Sequence, residues 1–188
     1  MNPRVVGSIV AGGLVMSYSQ QQGLLDALGE RRLLVIVGPL AREAAGLVCV
    51  RGLVDAALVE PEFGEIERAD IGALAAAGRF ADAFEAIKFR LGPRFATVFE
   101  PLLAGPKVAP PASLRALAGL ADQLSLILTT NLDNLVETTL SGAWVALAGA
   151  TADLAARTRT VFKLLGTAHV VSSWKFTADG LQNATYRQ

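Results

Sequence analysis

Apolar positions along the chain alternate between helical spacing and short unbroken runs. Leu24, Leu25 and Leu28 recur as on one helix face, and Leu33-Leu34-Val35-Ile36-Val37 follows as a run of strand length. Such a run predicts a strand buried on both faces, closed by Gly38-Pro39. After a loop, Leu53, Val54, Ala57 and Leu58 predict a short helix that stops before Pro61. Two more helices are expected over 66–77 and 80–91, the second carrying Phe80, Phe84, Ile87 and Leu91 on one face. Phe95, Val98, Phe99 and Leu102 mark another before the Pro-rich break at 104–111. Pro111-Ala112-Ser113 opens a helix through Ala121, and Leu124 to Thr129 reads as a second buried strand ending in polar Thr130-Asn131. A helix over 132–140, a Gly/Ala-rich connection holding Trp144, a third strand at 161–164 and a helix over 178–186 capped by Thr177 complete the pattern. Strands separated by helices predict an α/β fold. The expected form is a Rossmann-like open parallel sheet flanked by helices, with a helical insertion after the first strand and a ligand site beyond the strands' carboxyl ends.

Composition narrows the function classes. The 188 residues are 52% hydrophobic and 18% charged, enough apolar surface for one folded domain. Lys+Arg and Asp+Glu number 17 each, and no basic cluster tracks a phosphate backbone, so nucleic acid is not an expected partner. One Cys and one His exclude an intramolecular disulfide and leave no expected metal site. Residues 1–15 are set apart as a leader: their apolar run, Val5 to Val15, is shorter than the ~20 residues that span a bilayer. No A-x-A-like cleavage site follows it. The fold is therefore expected in 16–188, in a cytoplasmic protein without a membrane partner. The passage 74–83 resembles half of a helical-repeat unit, but no second copy follows, and it reads as an ordinary helical hairpin.

Three segments at predicted strand ends carry candidate chemistry: Gly38 to Leu47 with Arg51, Thr129-Thr130-Asn131-Leu132-Asp133-Asn134, and Lys163-Leu164-Leu165-Gly166-Thr167. Their order and spacing resemble the sirtuin superfamily, specifically the prokaryotic sirtuin-like domains of defence proteins. Gly38, Gly46 and Arg51 match the register of that family's first motif. Thr129, Thr130, Asn131 and Asp133 match its second. Lys163, Leu164 and Gly166 match the third, and Ser172 to Asp179 looks like the serine-rich loop that follows it. The resemblance runs from about Leu24 to the C-terminus and implies an NAD site. Gly38, Gly46, Arg51, Thr130, Asn131 and Gly166 would bind the cofactor, and Asn131 and Asp133 would serve catalysis by orienting ribose and water and supporting the loop.

The departures from that pattern are chemical. Pro39 removes an N–H donor, and Leu40 stands where the family's second glycine makes room for pyrophosphate. Arg42 replaces the family's serine and reads as a solvated surface charge, alone or beside Glu43, or as a cation offered to phosphate. Val48 and Val50 replace a proline and an aromatic residue. Leu165 replaces the histidine that acts as a base, and leucine has no ionisable group. His169, four residues on, reads as a surface-loop residue, Cys49 as a buried inert thiol, and Trp144 and Trp174 as packing residues. Family members also continue into further strands and a Gly-x-Ser segment that contacts the nucleotide. The resemblance therefore implies a catalytically degenerate domain in which NAD binding is weak or lost, acting by binding NAD+, ADP-ribose or a protein partner, which includes a second copy of the chain. The alternatives are an active NAD+ hydrolase or deacylase using unusual residues, and a remnant with no ligand. From the residues alone, Asn131 or Thr130 equally well caps the following helix.

Overall fold

The computed structural model describes residues 17–30, 33–140, 142, 144–148, 159–178 and 180. The leader at 1–15 and most of the helix expected over 178–186 lie outside them. Chain order is α1 (Tyr18–Gly29), β1 (Leu34–Val37), α2 (Leu40–Ala44), α3 (Val50–Ala57), α4 (Glu65–Ala76), α5 (Phe80–Leu91), α6 (Arg94–Ala104), α7 (Ala112–Gly119), β2 (Leu126–Thr129), α8 (Leu135–Leu140), β3 (Val145–Ala148) and β4 (Thr160–Lys163). The four strands form one parallel sheet in the order β1-β2-β4-β3. Val37, Thr129 and Lys163 share one register line, so the loops holding Gly38, Asn131 and Gly166 leave the same edge of the sheet. This is the predicted α/β fold, with helices α2 to α7 inserted between the first two strands. Among the described residues, no helix is long and apolar enough to cross a membrane.

Alternation along the strands divides the sheet into two faces. Val35, Val37, Ile127 and Val161 face one core, which Leu28 of α1, Leu114 of α7 and Leu135, Val136 and Leu140 of α8 complete. On the opposite face of β1, Leu34 and Ile36 are exposed, Ile36 by 66%. The expectation of a strand buried on both faces is corrected here: β1 is an outer strand of the sheet, and among the described residues only its inner face meets a helical layer. A second core is built by α3 to α6, with Phe84, Phe95 and Phe99 in ring contact with Trp174 and Phe176 from the segment after β4. Trp174 is thus a packing residue, and its indole N–H donates to the Thr167 carbonyl.

Two elements depart from the expected pattern. Residues 40–44, read as loop, form the short helix α2, because Pro39 at φ −64° already has the dihedral that opens a helix and its missing N–H removes no ladder bond there. Gly46, at φ +75°, ends α2: its N–H donates to the Glu43 carbonyl and that of Leu47 to the Arg42 carbonyl, closing the turn with the left-handed residue that glycine best adopts. The connection around Trp144 contains the strand β3, paired with β4 along its length.

Candidate functional site

Beyond the carboxyl ends of β1, β2 and β4 the helical layer leaves a cavity of about 270 Å³. Val50 and Leu53 of α3, Phe80, Ala81 and Phe84 of α5 and Leu103 of α6 form its helical wall. Pro39, Arg42, Thr130, Asn131, Leu132, Leu165 and Phe176 form the wall built by the strand ends and the segments after them. The position agrees with the rule that ligands of open α/β sheets bind outside the carboxyl ends of the strands.

The loop after β2 is held by its own polar groups. Thr129, fully buried, donates from Oγ1 to the Val37 carbonyl at 3.0 Å and accepts the Asn131 N–H at 3.0 Å, fastening the loop to the end of β1. Asp133 is the hub. Its Oδ1 accepts the Leu135 N–H at 2.9 Å, which caps α8, and its Oδ2 accepts from the Arg42 guanidinium at 2.8 Å. Its backbone carbonyl accepts from the Lys163 ammonium, which also pairs with Glu137 at 2.6 Å. The cap of α8 is therefore Asp133, and neither Asn131 nor Thr130 holds that task.

Arg42 is neither solvated nor paired with Glu43. It is 5% exposed, and besides Asp133 it donates to the carbonyls of Val48, Leu102 and Leu103. Two of these acceptors belong to the last turn of α6, where helix carbonyls lack intrahelical donors. Arg42 thereby ties the loop after β1 to α6 and to the loop after β2. Four of its five N–H groups are engaged within the protein, which accounts for its burial and corrects the reading of a solvated surface charge.

Thr130 and Asn131 differ from their neighbours. Asn131 is 4% exposed and its Nδ2 has no hydrogen-bond partner; the buried Thr130 Oγ1 has none either. Both residues line the cavity. A buried polar group without a partner costs roughly 1–3 kcal/mol, and these two belong to adjacent residues that both line the cavity.

The structure distributes the other expected site residues differently. Gly38 sits at the end of β1 outside the cavity lining, and open space surrounds the position of a Cβ there. Gly46 ends α2. Arg51 is half exposed on α3 and pairs with Asp55 at 3.0 Å. Gly166, at φ +98°, allows the segment after β4 to pass Ser173, whose carbonyl oxygen would lie 2.2 Å from an added Cβ. Its glycine identity is accounted for by this crossing. Leu165 forms part of the cavity wall and packs against the helical core. Leu40 is 53% exposed at the start of α2 and does not line the cavity. His169 is on the surface within 3.8 Å of Glu100, and Cys49 is half buried rather than buried, its Sγ accepting the Gly52 N–H at the start of α3. Among the described residues no group of three or more His, Cys, Asp or Glu side chains is arranged to hold a metal ion.

Compared with protein-family models and with curated proteins, the chain gives no match.

Proposed function

We propose that the protein is a sirtuin-like domain that binds the ring-bearing end of a nucleotide-derived ligand, such as NAD+ or ADP-ribose, at the carboxyl edge of its sheet without turning it over. The observation that carries this reading is the unpartnered pair Asn131 Nδ2 and Thr130 Oγ1 in the wall of an otherwise mostly apolar cavity. Ligand pockets combine an apolar lining with a few convergent polar groups, and are commonly clefts of roughly 300–1,000 Å³. At about 270 Å³ this cavity takes a ring and leaves the remainder of a nucleotide outside. Thr130 and Asn131 are two of the residues whose spacing resembles the sirtuin pattern, and they line the cavity together.

The lining also supports binding without chemistry. Among the described residues it offers no carboxylate, imidazole, thiol or amine, and Leu165 occupies the wall where the resemblance calls for a base. Asp133, the other residue to which the resemblance gives a catalytic role, is committed to Arg42 and to the cap of α8. Calorimetry with NAD+ and ADP-ribose, alongside an assay of nicotinamide release, tests the reading. Saturable binding that weakens in Asn131→Ala, with release at background, is the expected result. Nicotinamide release that Asn131→Ala abolishes would establish an enzyme instead.

A further inference from the structure

The charge inventory of the cavity restricts its occupant further than its location does. Among the described residues Arg42 is the one ionisable residue in the lining, and its charge is already matched by Asp133 at 2.8 Å, with both side chains almost fully buried. The neighbouring buried cation, Lys163, is consumed by Glu137 and the Asp133 carbonyl. A phosphate entering here would lose its hydration and find no free cation to replace it, and burying an unpaired charge is far more costly than burying a neutral polar group. A cationic ligand meets the converse obstacle, because no carboxylate of the described residues lines the cavity.

The polar atoms set a second condition. A purely aliphatic occupant would leave Asn131 Nδ2 and Thr130 Oγ1 unpaired, and sites built to hydrogen-bond a ligand discriminate strongly against analogues that lack the matching group. Nδ2 is a donor only, so the occupant must present an acceptor. Phe80, Phe84 and Phe176 are among the apolar residues of the remaining wall and offer rings against which a flat ring can pack.

We infer that the cavity selects an uncharged ring bearing a hydrogen-bond acceptor, and that phosphate groups attached to such a ring add nothing to its affinity. The inference rests on the ligand-binding reading above but differs from it in what fails. The test is calorimetry on the full chain with four probes: adenosine, AMP, ADP-ribose and benzamide, each at about 0.05 M and about 0.5 M salt. The three adenine ligands should bind within about threefold of one another, benzamide should bind too, and salt should leave all four unchanged. Asn131→Ala should weaken each by about fivefold, the size expected of one neutral hydrogen bond. Thr130→Val provides a second, nearly isosteric variant should Asn131→Ala not fold. ADP-ribose binding about tenfold or more tightly than adenosine, with an advantage that salt erodes, would overturn the inference and leave the nucleotide reading standing. Binding of benzamide with silence from all three adenine ligands would support the neutral-ring inference and overturn the nucleotide reading for ADP-ribose. Silence from all four would overturn the inference, and silence from NAD+ as well would overturn the nucleotide reading.

Discussion

Replacing Arg42 by Met separates a structural tie from a ligand-binding cation. The variant keeps an unbranched apolar stem of similar length but removes the partner of buried Asp133 and the donors to Val48, Leu102 and Leu103. Breaking a buried ion pair by removing one member costs about 3–5 kcal/mol, because the remaining charge is stranded. Whole domains are stable by only about 5–15 kcal/mol. For a chain of this size each kcal/mol shifts Tm by about 2–4 °C, so a fall of about 6–20 °C is expected. Thermal and urea unfolding followed by circular dichroism measure it. Asp133→Asn keeps the oxygen that caps α8 while removing the stranded charge, so the double variant should lose less than the sum of the two single losses, a coupling of about 0.5–3 kcal/mol. If Arg42→Met instead unfolds within about 2 °C of the parent and loses affinity for ADP-ribose but not adenosine, the guanidinium serves the ligand, and the account of a charge-closed cavity is wrong.

Three further outcomes follow from the same geometry. Gly166→Ala should destabilise by at least about 2 kcal/mol in urea titration, since its Cβ would lie 2.2 Å from the Ser173 carbonyl oxygen at a φ of +98°; a neutral result would mean that the Ser173 segment yields freely. Leu40→Gly should cost up to about 1 kcal/mol through helix propensity and leave affinity for NAD+ unchanged, because the side chain lies outside the cavity. A gain in NAD+ affinity would show that Leu40 obstructs the ligand, as the resemblance implies. Ile36→Lys, on the exposed face of β1, should change stability by no more than about 0.5 kcal/mol; a larger loss would show that this face is covered in solution.

The sheet was legible where an apolar run stood apart from polar or turn residues on either side. Leu34 to Val37, Leu126 to Thr129 and Val161 to Lys163 stand out from their surroundings and are neighbours in the structure. Val145 to Ala148 was obscured because Gly142, Gly149 and the surrounding alanines make a four-residue strand resemble its own connection. The opening of α2 was hidden by Gly38-Pro39, a strong turn signal that is equally compatible with the first turn of a helix. Asn131, Thr130 and Leu165 were placed at the right end of the sheet by their position after the strands. The task of Arg42 was not legible: arginine is rarely buried, and its carboxylate partner is 91 positions away. No local pattern announces such a pair. Nor could spacing show that it is Asp133 that accepts the Leu135 N–H at the start of α8, since several adjacent polar residues were equally able to serve.

The side-chain amide of Asn131 reports the central claim directly. Its resonance in a ¹⁵N-labelled protein is assigned by its disappearance in Asn131→Ala and followed during titration with adenosine and ADP-ribose. An Nδ2 that gains the partner it lacks should shift saturably, with the same Kd that calorimetry gives for each ligand. A resonance that stays fixed while calorimetry shows saturation would place the ligand elsewhere on the molecule and contradict the site.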